Sequence, residues 1–354
     1  LKSCFLLSPK NYPFCTIFFQ HMLAPIVVGL EAVIRCPPDV LIDTMGCSFV
    51  YPIFKHLAWS KVCAYVHYPT ISVDMLDMVA SNVASYNNRP IIARNPWLSK
   101  LKLMHYKFFA ICYRWTGKYA DVVMVNSSWT RNHIRHIWST DAAQTVFPPC
   151  NTLHLTKLPL TNRDPNAIVS MAQFRPEKNH RLQIVAMAKL VDRLRANKVR
   201  QMPQLIIIGG CRNAEDHQLV KDLQRLCEEL KVEQFVRFEV NFPYSEMESV
   251  LQRASIAIHT MINEHFGISV VEFLSAGLLT LSHQSGGPKL DIIQDNVTGF
   301  FALTDTEFAD KLYELIQLPE SEAMRIRVKA RESVSRFSED TFEQNFLNQV
   351  QHLL

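Results

Sequence analysis

From residue 167 onward, short apolar runs alternate with longer amphipathic stretches, and this alternation constrains the fold more than any other feature of the chain. Strands are predicted at 167–173, 204–208, 236–239, 256–260 and 278–282, and helices at 179–196, 214–230 and 244–253, with a loop and helix spanning 264–272. Strands that alternate with helices in this way are typical of a parallel, doubly wound α/β sheet.

The first 150 residues show the same pattern less regularly, with strands predicted near 40–42, 62–66 and 122–125. Pro148, Pro149 and the polar stretch that follows them mark a boundary. A chain of 354 residues, 48% of them hydrophobic, can hold two α/β domains of ordinary size. We therefore predict domains at 1–150 and 151–338, with a last helix within 339–354.

Two carboxylates, Glu264 and Glu272, flank Gly267 near the predicted loop and helix. The helix is too apolar to be a surface element, so a charge at Glu272 has a specific partner or is costly. Gly267 permits a close backbone approach, and the amides after it begin a helix, where anions bind. The alternative is a loop carboxylate followed by a helix carboxylate that pairs with a nearby arginine.

A second motif, Arg175 to Lys178, follows the predicted strand at 167–173, and Pro176 suits a turn or a helix start. In open parallel sheets, ligands bind outside the carboxyl ends of strands. A guanidinium fork beside an ammonium suits a diphosphate. A charged surface turn is the alternative.

Together these two motifs resemble those of retaining GT-B glycosyltransferases of family 4, which use nucleotide-sugar donors. Several further phrases are similar to those of one branch, the α-1,2-mannosyltransferases of the dolichol pathway in the endoplasmic reticulum. These phrases occupy 39–46, 65–72, 125–130, 146–150, 174–180 and 283–288. The resemblance runs from about residue 30 to the end.

The resemblance implies a GT-B fold, with two Rossmann-like domains facing across a cleft that holds the donor, and a last helix that crosses back to the first domain. It implies GDP-mannose as donor, a dolichol-diphosphate oligosaccharide as acceptor, and retaining transfer that forms the α-1,2 linkages of the fourth and fifth mannoses. It places the enzyme at the endoplasmic reticulum membrane, facing the cytosol, beside other mannosyltransferases of the pathway. It implies neither a cofactor nor a metal.

The resemblance also implies roles for individual residues. Glu264 would hold the mannose as a catalytic residue, and His67 would lie near the sugar, although a strand-end histidine can equally be structural. Glu272 would accept hydrogen bonds from the ribose hydroxyls. The remaining predicted substrate-binding residues are Arg175, Lys178, His265, Phe266, Gly267, Ile268, Ser285 and Gly286. Ser285 and Gly286 could provide a close backbone approach or simply a turn.

One departure concerns the first domain, which we expect to be incomplete. The family opens with a membrane anchor and a glycine-rich loop, whereas residues 1–150 begin at Leu1 and contain only Gly29, Gly46 and Gly117. We therefore expect an intact donor half and little or no transfer of mannose by this chain alone.

Two alternatives stay open. One is an inactive nucleotide-sugar-binding chain, and the other is a different GT-B enzyme, such as a nucleotide-sugar epimerase or glycogen synthase. A nicotinamide dehydrogenase is disfavoured because no Gly-x-Gly-x-x-Gly motif occurs.

Charge is distributed unevenly along the chain. Residues 1–150 carry 14 Lys and Arg against 7 Asp and Glu, whereas residues 151–354 carry 23 against 26. No acid occurs between Met78 and Ala120, where seven cations are interleaved with aromatic residues. With a helix predicted at 98–118, this pattern suits an anionic membrane surface. A solvated helix with a core-facing aromatic stripe is the alternative, and no nucleic-acid motif accompanies the charge.

Two further features bear on location. Residues 12–34 are apolar-rich but interrupted by polar residues, so we predict a buried strand or helix and neither a membrane span nor a signal peptide. Nine scattered cysteines show no zinc-site or redox-motif spacing and are predicted to be buried thiols in a reducing compartment.

Overall fold

The computed structural model describes residues 2–7, 19–71 and 96–353. The chain divides into two compact units, one formed by residues 1–147 with 342–354 and the other by residues 148–341. Each unit contains a parallel sheet, so the predicted α/β class is confirmed for both.

The sheet of the first unit has the strand order β1-β2-β3-β4. Its strands are β1 (Val40–Asp43), β2 (Lys61–Val66), β3 (Val122–Val125) and β4 (Gln144–Thr145). All of the pairings are parallel. Residues 62–66 and 122–125 are buried, because a parallel sheet is covered on both faces.

Four helices of the first unit are α1 (Ala24–Arg35), α2 (Tyr51–Leu57), α3 (Pro96–Gly117) and α4 (Ser128–Trp138). Tyr113 of α3 and Trp138 of α4 are fully buried, with ring centroids 5.5 Å apart. Gly117 makes this packing possible, because a Cβ there would lie 2.4 Å from the Trp138 ring. The core of this unit therefore depends on aromatic rings from its helices.

The second unit has a six-stranded parallel sheet with the order β10-β9-β8-β5-β6-β7. The strands are β5 (Asp164–Met171), β6 (Gln204–Gly209), β7 (Val236–Val240), β8 (Ala254–His259), β9 (Leu279–His283) and β10 (Phe300–Ala302). The order reverses between β5 and β8, which are direct neighbours. The loops after those two strands therefore diverge to opposite faces and leave a crevice, the usual place for a ligand.

Six helices cover this sheet: α5 (His180–Ala196), α6 (Ala214–Glu229), α7 (Tyr244–Arg253), α8 (Ile268–Ala276), α9 (Asp305–Ile316) and α10 (Glu320–Glu332). Apolar side chains of α5, α6 and α9 pack with Ile168, Ile207 and Ile256 of the sheet in one continuous core. This core holds the ends of β5 and β8 rigidly in place.

The last helix, α11 (Glu339–Val350), packs against the first unit. The rings of Phe342 and Phe346 lie 5.9 and 6.5 Å from the ring of Tyr65 in β2. Val350 joins the same apolar cluster. The last helix of the chain thus covers part of the sheet of the first unit.

Part of the predicted 12–34 segment lies outside the described residues; in the rest, the predicted helix is present, but its predicted burial is wrong. Residues 24–35 form a helix, but only one face of α1 is buried, and Val27, Leu30 and Ile34 are exposed. Apolar side chains surround α1, and only one side can pack on the turn at 48–50. Within residues 2–7, 19–71 and 96–353, no helix combines the length and apolar character needed to cross a bilayer.

The cysteine prediction is also wrong in part. The described cysteines are free thiols, but only Cys63, Cys150 and Cys227 are buried, while Cys4 and Cys36 are exposed. Cys36 caps the end of α1, where the chain returns to solvent.

Candidate active site

The turn after β5 presents Arg175 and Lys178 at the carboxyl edge of the sheet. Phe174 is fully buried and anchors the turn. Arg175 is extended, residues 176–178 form a single 3-10 turn, and Asn179 takes a left-handed φ of 53° before α5 begins. Gly209 packs tightly beneath, since a Cβ there would lie 2.1 Å from a backbone oxygen of the turn. The turn that carries Arg175 and Lys178 is therefore held in place by buried packing beneath it.

The loop after β8 carries Glu264, and the structure brings this carboxylate directly onto Lys178. Lys178 Nζ lies 2.6 Å from Glu264 Oε2 and 3.1 Å from Met261 Sδ. Only 8% of Glu264 is exposed. Because water is largely excluded, loss of either partner would leave a buried charge uncompensated.

Two further groups contact the Glu264 carboxylate. His259 Nε2 lies 3.2 Å from Oε2 without the alignment of a hydrogen bond, and it forms an ion pair with the carboxylate when the imidazole is protonated. The backbone N–H of His265 donates to Oε1 at 3.1 Å. Burial by itself would raise the pKa of Glu264, but His259 and Lys178 outweigh it and hold that pKa well below its ordinary value. The carboxylate is therefore ionised at neutral pH.

Helix α8 begins directly after this loop, at Ile268. Gly267 precedes it with a φ of 106°, and its carbonyl accepts the N–H groups of Val270 and Val271. Ile268 is exposed, whereas the ring of Phe266 is buried 5.4 Å from that of Phe337. Of Phe266, only the backbone is thus placed to meet a ligand, while the N-terminus of α8 opens beside Glu264.

Ser285 and Gly286 lie in the turn after β9, and both contact the Glu264 loop. The Ser285 hydroxyl accepts the Asn263 N–H at 2.8 Å and lies 2.8 Å from His283 Nδ1. Gly286 has a φ of 65°, and a Cβ there would lie 2.3 Å from the Glu264 carbonyl oxygen. The close approach expected at Gly286 is present, but its partner is the backbone of Glu264.

Glu272 lies on α8, at the edge of a hollow on the same unit. The hollow is lined by Glu272 together with His154, Leu155, Met171, Tyr244, Met247, Glu248 and Leu251. Burial raises the pKa of Glu272 to about 7. No cation in the described part of the chain pairs with it, so the arginine-paired alternative finds no partner there.

Arg175 is only weakly engaged by its neighbours. Its Nη1 lies 3.8 Å from Glu177 Oε1, and its buried Nε has no hydrogen-bond partner among the described residues. A guanidinium held this way at the crevice retains donors for an anion.

His67 belongs to the first unit, where it directly follows β2. It is exposed, and its ring meets that of Tyr65 edge-on at 4.7 Å. Desolvation of the ring by the neighbouring protein atoms lowers the pKa of His67, and Asp43 opposes that effect. The Asp43 carboxylate itself accepts hydrogen bonds from Tyr51 Oη and the backbone of Cys47. The other predicted site residues all lie in the second unit.

Three buried polar residues near Glu264 were missed by the sequence reasoning: His259, His180 and Gln183. Gln183 Nε2 donates to Thr260 Oγ1 at 2.9 Å, beneath the Lys178 turn. The one clue was a histidine that ends an otherwise apolar strand, Ile256 to His259. In the described part of the chain, no group of three or more His, Cys, Asp or Glu side chains is placed to hold a metal ion.

Solved structures share this architecture at low sequence identity. Anabaena HepE in complex with UDP matches with a TM-score of 0.69 at 15% identity, over 95% of this chain and 84% of its own. Sucrose-phosphate synthase of Thermosynechococcus elongatus matches with a TM-score of 0.72 at 14% identity, over 98% and 82%. The two parallel α/β units of this chain therefore have the GT-B fold.

Sequence comparisons narrow the class. The family model described as ALG11 mannosyltransferase N-terminus matches residues 1–138, and Glycosyl transferases group 1 matches residues 157–333. The chain belongs to the family of GDP-Man:Man(3)GlcNAc(2)-PP-Dol alpha-1,2-mannosyltransferases. The human member is 44% identical over 360 residues, covering 100% of this chain and 73% of its own length. The Caenorhabditis elegans member is 39% identical, over 99% and 75%.

Proposed function

We propose that this chain transfers mannose from GDP-mannose to a dolichol-diphosphate-linked oligosaccharide, with retention, and forms the α-1,2 linkages of the fourth and fifth mannoses. The names of its relatives support this donor, acceptor and linkage. The observation that carries the proposal is the buried Lys178–Glu264 ion pair at the reversal of the strand order.

Departure of the diphosphate builds negative charge, which fixed cations and backbone amides stabilise. An ammonium has three donors, and Glu264 and Met261 occupy two of those on Lys178, which leaves one for a phosphate oxygen. Arg175 supplies a planar fork from the same turn. The N-terminal amides of α8, beside His265, Gly267 and Ile268, face the same anion.

The sugar and the ribose meet the two glutamates in this proposal. Glu264 is ionised and accepts hydrogen bonds from mannose hydroxyls, opposite the positive charge that develops on the sugar ring. Glu272 accepts the ribose hydroxyls, with the base directed toward the hollow beside it. Ser285 and Gly286 keep the Glu264 loop in position. His67, from the first unit, contributes to catalysis at the transferred sugar.

The membrane is the proposed location of the acceptor, and helix α3 supports it. Large exposed side chains recur along α3 at alternating spacings of four and three residues: Trp97, Leu101, Met104, Phe108, Ile111 and Trp115. Such spacing aligns them on one face of a helix. Not all aromatic residues of α3 lie on this outward face, because Phe109 and Tyr113 pack into the core of the first unit. An outward apolar face is costly in water but suits the headgroup boundary of a bilayer.

Cations accompany this outward face, and a second helix extends it. Lys100, Lys107 and Arg114 are exposed at intervals of seven residues, which places them along one side of the apolar stripe. Helix α1 also has an exposed apolar stripe, and both helices pack against the turn at 48–50. We assign this surface to the cytosolic face of the endoplasmic reticulum membrane. Arg89 and Arg94 lie outside the described residues.

The decisive experiment incubates the purified chain with labelled GDP-mannose and a Man(3)GlcNAc(2)-diphosphate-lipid acceptor, with UDP-glucose as the control donor. The proposal, in contrast to the low transfer expected from the sequence alone, requires that one or two mannoses are added and that an α-1,2-specific mannosidase releases them. Glu264→Gln should abolish the transfer, while Lys221→Ala, on the exposed face of α6, should not. Donor binding without transfer would favour a nucleotide-sugar-binding protein, and transfer unaffected by Glu264→Gln would refute the site.

A further inference from the structure

His259 ends β8 and is only 3% exposed, in a strand that is otherwise apolar or small. A buried imidazole has a desolvation cost, which a strand of this kind has no packing reason to accept. Its Nε2 lies 3.2 Å from Glu264 Oε2, the same oxygen that Lys178 contacts. The two nitrogen groups therefore converge on one oxygen atom of the carboxylate.

This convergence leaves the other oxygen for the substrate. Glu264 Oε1 accepts one hydrogen bond, from the backbone of His265. A carboxylate oxygen has two lone-pair sites, so Oε1 keeps one for a further donor such as a sugar hydroxyl. Rotation of the carboxylate would exchange the two oxygens, and His259 together with Lys178 opposes that rotation.

The groups around His259 come from four elements. Lys178 follows β5, Glu264 follows β8, His180 begins α5 and His283 ends β9. Burial, then His259 and Lys178, lower the pKa of His180 to about 4, and burial lowers the pKa of His283, with His259 adding to that effect and Glu307 opposing it. His283 is turned to Ser285 through Nδ1. Of the three imidazoles, His259 is the one that faces the Glu264 carboxylate.

We propose that His259 is a positioning residue that holds Glu264 Oε2 inward, so that an ionised Oε1 faces the donor sugar. The inference rests on the proposed function, because it assumes that Glu264 meets the transferred sugar. His259 touches no substrate in this arrangement and acts through Glu264.

The first test is the pH dependence of transfer by the full chain carrying His259→Gln. Glu264 must be ionised, so the rate falls as pH drops through its pKa. Removal of the imidazole leaves the effect of burial less opposed and raises that pKa. At saturating GDP-mannose, where donor affinity no longer limits the rate, kcat of the variant should therefore fall at a mildly acidic pH where kcat of the wild type is constant. A misplaced carboxylate should also lower kcat by roughly 10–100-fold while KM for GDP-mannose changes little.

His180→Gln is the matched control, because His180 is as deeply buried as His259, but neither of its ring nitrogens has a hydrogen-bond partner among the described residues. In the His180→Gln variant, the fall in kcat at low pH should occur at the same pH as in the wild type, even if kcat itself is lower. If His259→Gln does not fold, His259→Asn takes its place, with GDP affinity as the check of an intact site. Two outcomes overturn the inference. One is a pH profile of kcat that is identical in the wild type, the folded His259 variant and His180→Gln. The other is a shift of the low-pH fall in His180→Gln equal to that in the His259 variant.

A second measurement separates this inference from the proposed function. The thermal unfolding midpoints of the wild type, His259→Gln, Glu264→Gln and the double variant form a double-mutant cycle, which does not require the protein to be catalytically active. We expect the decrease in unfolding midpoint of the double variant to be clearly smaller than the sum of the decreases of the two single variants. Coupling without any mannose transfer would refute the proposed function alone, whereas mannose transfer with strictly additive midpoints would refute the role of His259.

Discussion

Gly286 lies against Glu264 so closely that no side chain fits between them. A Cβ at Gly286 would be 2.3 Å from the Glu264 carbonyl oxygen and 2.7 Å from its nitrogen, and the φ of 65° is itself unfavourable for other residues. The next residue, Gly287, donates its N–H to the same carbonyl at 2.7 Å. The turn after β9 thus determines where the Glu264 backbone lies.

Gly286→Ala should therefore displace Glu264 and destabilise the second unit. The left-handed φ alone costs about 1–2 kcal/mol, and the backbone clash adds to that cost. We expect a Tm lower by roughly 4 °C or more, with loss of transfer. Gly210→Ala is the control, because its Cβ would find its nearest neighbour at 3.7 Å. Equal melting temperatures of the two variants would contradict the packing argument.

Nucleotide affinity should depend on the turn after β5. Each charged hydrogen bond to the diphosphate is worth about 1.5–3 kcal/mol, so Arg175→Ala and Lys178→Ala should each weaken GDP binding roughly 10–150-fold. Calorimetric titration measures this directly. Lys221→Ala, an exposed lysine on α6, should bind GDP as the wild type does. Unchanged affinity in the double variant Arg175→Ala, Lys178→Ala would remove the diphosphate assignment.

GDP binding should strengthen as pH rises through about 7, where Glu272 ionises. Ribose hydroxyls donate hydrogen bonds, so they favour the carboxylate over the neutral acid. Glu272→Gln should abolish this pH dependence, which titrations from pH 5.5 to 8.5 would reveal. A wild-type affinity with no inflection in that range would speak against the ribose role.

The raised pKa of Glu272 should affect folding stability in the opposite direction to GDP binding, so that stability decreases as pH rises. Because the folded pKa lies above the unfolded one, folding favours protonated Glu272, and that contribution is present at low pH and lost as pH rises from about 4.5 to 7. Compared with Glu272→Gln, the wild type should lose thermal stability across this window. Parallel Tm curves for the two proteins would show that Glu272 does not titrate as described.

Membrane binding should require the outward face of α3. The double variant Phe108→Ser, Ile111→Ser should float poorly with liposomes, since two exposed apolar side chains are removed. The double variant Leu230→Ser, Leu303→Ser removes exposed leucines from the second unit and serves as control. Equal flotation of both variants would assign the membrane contact elsewhere.

The cations of α3 make a separate contribution. Each lysine or arginine near an anionic surface is worth about 1 kcal/mol, so replacing Lys100, Lys107 and Arg114 by glutamine should weaken binding roughly 100-fold. The loss should appear only with acidic lipid and should shrink as salt rises. Binding of the wild type that ignores lipid charge would leave the apolar face as the sole determinant.

The sequence was sufficient to predict the elements that surround the site. The strand predicted at 256–260 is β8, and the helix predicted at 179–196 is α5, because each has a strong local pattern of apolar residues. The helix predicted at 98–118 is α3. Local patterns also located Arg175 and Glu264 at the ends of strands.

Contacts between those elements could not be predicted in the same way. Lys178 and Glu264 are 86 residues apart, and their pairing depends on β5 and β8 being neighbours, which no local pattern specifies. His259 was missed for the same reason, since its importance lies in the carboxylate it faces. The outward face of α1 was missed because apolar residues there were assumed to be buried.

Helix α11 has a consequence for synthesis on the ribosome. Residues 342–354 complete the first unit, yet they are made after all of the second. At a translation rate of about 5–20 residues per second, the sheet containing Cys63 and Tyr65 waits roughly 10–40 seconds for Phe346 and Val350. The second unit is contiguous and can finish folding first, so the nascent first unit holds an uncovered apolar surface that chaperones could recognise.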